Sequence, residues 1–114
     1  MSCYFDSLSH YFHVNSNIIR QEICNYLDSN QPIFDDIETK VVLDSIDPDY
    51  VNKMRRSSTW GGGIEISATC NIWNINVVVH SHRMKPVLFE PLSKRPLYTI
   101  HIHWNGSHYE PIRV

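Results

Sequence analysis

Basic residues are not in excess in this chain. Ten Lys and Arg stand against twelve Asp and Glu over 114 residues, leaving a net charge of -2. That balance argues against a nucleic-acid binder held by phosphate contacts, since each such contact needs a cation. Long hydrophobic runs are missing too: none approaches the roughly 20 residues of a membrane span. The N-terminus lacks the basic-then-apolar pattern of a signal peptide. Cysteine is sparse, and the three present (Cys3, Cys24 and Cys70) are odd in number and widely spaced. They suit a reducing compartment better than a disulfide framework. The expectation is an intracellular protein, cytoplasmic or nuclear. What is there is ordinary globular material, 42% hydrophobic and 19% charged. One domain over residues 1–114 can build a core from it without disulfides or a metal.

Along the chain, Phe5, Leu8, Tyr11 and Phe12 fall on a helical stripe, predicting a helix that begins at or just before Cys3. Asn15, Ser16 and Asn17 are N-cap residues, and Ile18, Ile19, Ile23, Tyr26 and Leu27 then recur at helical spacing. Cys24 on that helix is expected to be packing. Pro32 breaks the pattern, and a short helix is plausible within Ile33 to Ile46. Asp47-Pro48 reads as a cap and first-turn proline, starting a helix through about Arg56 with Tyr50, Val51 and Met54 buried. Trp60-Gly61-Gly62-Gly63 is a loop in which the glycines allow a tight turn beside the indole. No Lys-Ser or Lys-Thr follows, so a phosphate loop is a poor reading. A helix from Ile64 to about Asn71 comes next, with Ile64, Ala68, Ile72 and Trp73 toward the core.

From Ile75 the period changes to that of strands. Asn76 to His80 is β-branched and predicted to be buried on both faces, and Val87 to Phe89 is a weaker strand. Leu97 to Trp104 alternates Tyr98, Ile100, Ile102 and Trp104 on one face. Asn105-Gly106 is a strong hairpin signal leading into Ser107 to Ile112. Helices first and then a sheet closed by a hairpin make the fold class α+β.

The terminal hairpin also carries the clearest chemistry. His108 stands just past the turn, and an imidazole on paired strands has little freedom, as a general base requires. The well-placed nucleophile lies at the other end of the chain. Cys3 at a helix N-terminus meets partial positive charge, which favours the thiolate. A hydrolytic cysteine needs an imidazole to take its proton and a third polar group to orient the imidazole. Glu110, two residues on, and Asn105, three before across the turn, are both candidates for that third role. A competing idea is a metal site built from the seven histidines. His10 and His13, His80 and His82, and His101 and His103 are each spaced to share a face. None of these pairs combines with Cys-x-x-Cys spacing, so neither a metal nor another cofactor is expected.

Three blocks in this order resemble the ovarian-tumour (OTU) family of cysteine proteases, most of which are deubiquitinases. Ser2-Cys3-Tyr4-Phe5-Asp6-Ser7-Leu8-Ser9 resembles its nucleophile block. Thr59-Trp60-Gly61-Gly62 followed by Ile64-Glu65-Ile66 resembles its central block. Trp104-Asn105-Gly106-Ser107-His108-Tyr109-Glu110 resembles its terminal His-Tyr block. The resemblance implies a small central sheet flanked by helices, with Cys3 as nucleophile, His108 as general base and Glu110 where many members have Asp or Asn. It gives Trp60 and Gly61 the work of shaping the core and the cleft wall. The implied substrate is the C-terminal tail of ubiquitin or a ubiquitin-like protein, cut by a monomeric thiol isopeptidase with no nucleic-acid or membrane partner. The alternative is a catalytically weak OTU-like module that binds ubiquitin or a partner without cleaving. Members usually carry Asp-Gly-x before the nucleophile, whereas here only Met1 and Ser2 precede Cys3. The domain is therefore expected to be truncated ahead of its nucleophile.

Overall fold

The computed structural model describes residues 3–112; the side chain of Cys3, and the expectations about Met1 and Ser2, lie outside that description. The first helix, α1, is Cys3–Phe12. Its buried side includes Tyr4 as well as Phe5 and Leu8. Helix α2, Ser16–Asp28, is capped by Asn15, whose side chain accepts from the N–H of Asn17. Ile19, Ile23, Cys24 and Leu27 face the core as expected. Two neighbours do not follow the stripe: Ile18 is exposed and Arg20 is buried.

Residues 33–38 bend without regular structure, and α3 then runs Thr39–Ile46. Asp47 accepts from the N–H of Asp49 and pairs with Lys53. The helix it was expected to start is only Tyr50–Met54, α4. Helix α5 is Gly63–Trp73, longer at both ends than the sequence suggests. It is buried on several sides, with Glu65, Ile66, Ala68, Thr69 and Cys70 all enclosed. This explains why its apolar residues mark no single stripe: a helix surrounded by others has no polar face to set one off.

Four strands follow: β1 Asn76–Ser81, β2 Met84–Phe89, β3 Thr99–Trp104 and β4 Tyr109–Pro111. Their order in the sheet is β2-β1-β3-β4. The outer pairings are antiparallel and the central one, β1 with β3, is parallel. The chain therefore leaves β2, passes β1 and enters on its far side. Asn74, in the left-handed conformation at the end of α5, holds that connection. Its carbonyl accepts from the N–H of Leu97, and its side chain bonds Arg95 and Ser93.

Register puts Val77, Val79, Ile100, Ile102, Trp104 and Tyr109 on one face. Val77, Ile100 and Ile102 are buried there, under α1 and α5. The other face carries Val78, His80, His101, His103 and Glu110, none of them buried. The expectation that β1 is buried on both faces is thus corrected. Its β-branched run records a central strand, and a half-covered central strand reads the same. Among the described residues no helix is long and apolar enough to cross a membrane.

Candidate active site

The two ends of the chain meet. Tyr4, the residue after Cys3, packs edge-on against Tyr109, the residue after His108, with ring centroids 5.4 Å apart. Tyr4 is held from behind by a 2.6 Å hydrogen bond between its hydroxyl and Thr69 on α5. Burial pushes its pKa well above the usual phenol value, so it stays neutral. At the far end of α1 the Tyr11 hydroxyl lies 2.5 Å from the carbonyl oxygen of His101 and 2.6 Å from that of Ile112. One proton shared between these acceptors fastens the helix to both strands of the hairpin. The aromatic stripe of α1 foretold Phe5, Leu8 and a packed Tyr11. It gave no sign of Tyr4, which lies beside the stripe and is buried by a partner from α5.

His108 is carried by a turn built from Asn105. Gly106 sits at φ +99°, where a glycine is favoured. The N–H of Asn105 donates to the carbonyl of His108 at 3.0 Å. The Asn105 side-chain oxygen accepts from the N–H groups of Ser107 and His108, at 2.8 and 2.7 Å. Both lone pairs of that oxygen are therefore used by backbone, which removes it as an acceptor for the imidazole. The turn is centred on Gly106 and Ser107, one residue later than the Asn-Gly signal suggests. Glu110 pairs across the sheet with His103 and is exposed. No hydrogen bond joins it to His108 among the described residues.

The His108 ring instead lies against Trp60, with centroids 5.2 Å apart and planes 29° from parallel. The loop that presents Trp60 is tied on both flanks. Before it, the buried Arg20 guanidinium donates to the carbonyls of Met54 at 2.7 Å and Ser57 at 3.4 Å. The same guanidinium sits 4.1 Å over the ring of Phe5. After it, Gly61 lies so close to α1 that a Cβ there would stand 2.9 Å from Tyr4 Cδ2 and 3.3 Å from Phe5 Cζ. The N–H of Gly62 then donates to Glu65 Oε1 at 2.8 Å. None of the three glycines has a positive φ. The expected tight turn is absent, and Gly61 is needed for close approach of backbone to rings.

Glu65 is buried, and its second oxygen accepts from Tyr50 at 2.6 Å. Burial raises its pKa, against the pull of those hydrogen bonds and of the Arg20 charge. Neither residue was singled out from the sequence. Glu65 had a signal, since Glu three residues into a helix commonly reaches back to the cap N–H. Arg20 had none, being one charge inside an apolar helix face.

The other thiols are poor nucleophiles. Cys24 and Cys70 are buried, and burial pushes each up to about 11. The third cysteine of the sequence, Cys3, is the first residue of α1. On the open sheet face His80 Nε2 and His101 Nδ1 share a 2.9 Å hydrogen bond. His82 lies in the turn after β1, so it does not share a strand face with His80. Among the described residues no three His, Cys, Asp or Glu are grouped to hold a metal ion.

A helix that begins at a cysteine packs here beside an imidazole-bearing hairpin in an α+β domain. The sequence from residue 2 to 109 matches the model of the OTU-like cysteine proteases, and the chain belongs to that family. Solved structures agree in fold. An ovarian-tumour domain in complex with ubiquitin superposes with a TM-score of 0.73 at 22% identity, over 96% of this chain and 62% of that one. The viral OTU domain protease of Dera Ghazi Khan virus gives 0.68 at 20% identity, over 96% and 72%. An OTU deubiquitinase from Wolbachia pipientis wMel bound to ubiquitin gives 0.67 at 17% identity, over 97% and 88%. The chain thus spans under two thirds of the length of the first of these. No match was found among curated proteins.

Proposed function

We propose that this domain is a cysteine-dependent deubiquitinase acting through Cys3 and His108. The observation that carries the reading is the Tyr4–Tyr109 contact, which brings the start of α1 beside the residue that follows His108. In the proposed reaction His108 takes the Cys3 proton, and the thiolate attacks the carbonyl carbon of the ubiquitin C-terminal glycine. The C–N bond of the isopeptide breaks as the imidazolium returns its proton to the departing lysine amine. Water then hydrolyses the thioester, releasing the ubiquitin carboxylate and restoring the thiol. With Asn105 occupied, Glu110 is the remaining candidate to orient the imidazole. Its exposed carboxylate reaches the ring only as the substrate complex tightens.

The separation of Glu110 from His108 favours a second reading, a module that binds ubiquitin and cleaves it weakly. A panel of di-ubiquitins, with a ubiquitin activity-based probe, separates the two. The hydrolase reading expects cleavage and probe capture at Cys3, both lost in Cys3→Ala and His108→Ala. Ubiquitin binding without capture or cleavage overturns it in favour of the module.

A further inference from the structure

We propose that Trp60 is the positioning residue for His108: its indole face is the shelf that holds the imidazole in the orientation used against Cys3. This rests on the Cys3/His108 reading above and adds to it a residue that acts through the imidazole it stacks on. The hairpin turn fixes the backbone of His108 through Asn105 but leaves χ1 and χ2 of the side chain free. No side-chain hydrogen bond from His108 restrains the ring among the described residues. What the ring does meet is Trp60, near parallel at a 5.2 Å centroid separation, an offset-stacked geometry.

A shelf is useful only if it is rigid, and this one is built from outside the hairpin. Arg20 fixes the chain three residues before Trp60 through the Ser57 carbonyl, and Gly61, the residue after Trp60, lies against Tyr4 and Phe5. Thr59 adds a 3.0 Å bond from its N–H to the Arg56 carbonyl and a 2.5 Å bond from its hydroxyl to the Lys53 carbonyl. The same α1 residues that receive Gly61 directly follow Cys3. The loop therefore registers the base against the helix that bears the nucleophile. Trp60 is nonetheless 44% exposed. An indole left this open at the end of a well-tied loop contributes little to the core, and the ring it does meet is the imidazole.

The test needs a readout of stacking and a readout of base function, neither dependent on the substrate. The first is the Cε1–H resonance of His108 in the full chain, assigned by its disappearance in His108→Asn. A stacked indole displaces it upfield by ring current. The second is the rate of Cys3 alkylation by iodoacetamide at neutral pH, since Cys24 and Cys70 are buried and slow. Trp60→Leu is expected to abolish the upfield displacement and to slow alkylation about 3- to 10-fold, the range of one aromatic pair. Trp60→Phe, which keeps a ring face, restores both. Urea midpoints of the variants establish that they are folded, and Trp60→Gln replaces the leucine variant if it is not. The proposal is overturned if the resonance ignores Trp60→Leu. It is equally overturned if stacking is lost while Cys3 keeps its rate. Where ubiquitin hydrolysis is measurable, kcat falls in Trp60→Leu with KM within about twofold, because the indole acts through the base and not on the substrate. Absence of ubiquitin hydrolysis in the parent chain would sink the deubiquitinase reading alone, leaving both readouts able to decide the role of Trp60.

Discussion

Gly61→Ala isolates the contact on which the site depends. The new methyl carbon would stand 2.9 Å from Tyr4 Cδ2 and 3.3 and 3.4 Å from two ring carbons of Phe5. Real carbons do not approach to the first of these distances, so something must move. Tyr4 cannot swing freely, because its hydroxyl is bound to Thr69 and its ring abuts Tyr109. Phe5 is covered by the Arg20 guanidinium and is fully buried. With both rings held, the strain falls on backbone, and overpacking of this kind costs about 1–3 kcal/mol. At a urea m-value of roughly 2 kcal/mol per M, that lowers the unfolding midpoint by about 0.5–1.5 M. Gly63→Ala is the matched control. It lies at the start of α5 with nothing within 4 Å of the added carbon, so its stability is expected within about 1 kcal/mol of the parent. A Gly61→Ala midpoint equal to that of the parent, or a Gly63→Ala as damaging as Gly61→Ala, would refute the close-approach account.

Tyr11→Phe removes the hydroxyl that fastens α1 to His101 and Ile112, and should cost about 1–2 kcal/mol in urea unfolding. Because the helix loosens from the hairpin, Cys3 alkylation should slow in the same variant. Glu65 gives a pH signature. Burial raises its folded pKa above 4.5, so the native state holds a proton that the unfolded chain releases, and its ionisation subtracts from stability as pH rises from about 4.5 through the folded value. Glu65→Gln, which cannot ionise, should gain stability relative to the parent as pH rises above 4.5, a trend read from urea midpoints along the rise. A parallel pH profile for the two proteins would remove that assignment. Glu110→Ala should lower kcat by no more than about tenfold, the worth of one exposed orienting hydrogen bond, well short of His108→Ala.

Much of this was legible in the sequence because local rules and tertiary packing agree there. The helices α1 and α2, the strands β1 and β3 and the terminal hairpin each carry their own period or turn residue, and the structure contains all of them. Legibility failed where a partner distant in sequence decides the outcome. Arg20 looks like a solvent-facing charge until the carbonyls of Met54 and Ser57 and the ring of Phe5 are brought to it. The glycines at 61 to 63 look like a turn, yet one of them serves to let Tyr4 and Phe5 approach. The candidate site was legible in the same uneven way. His108 and Cys3 were marked by turn and helix position, whereas the stacking of Trp60 on His108 joins two loops with no shared local pattern. Asn105 and Glu110 were equivalent by spacing, and only the hydrogen bonds of the turn distinguish them.

The Tyr11 clamp has a consequence in time. It joins atoms 101 residues apart along the chain, nearly the whole span of the described fold. Contacts of such separation carry a large loop-closure cost and form only once other structure has shortened the path. During synthesis, moreover, α1 emerges before the hairpin, so the helix with the thiol must wait for its imidazole. Partly made chains therefore present Cys3 without His108, and the proposed chemistry begins only when the hairpin has been laid down.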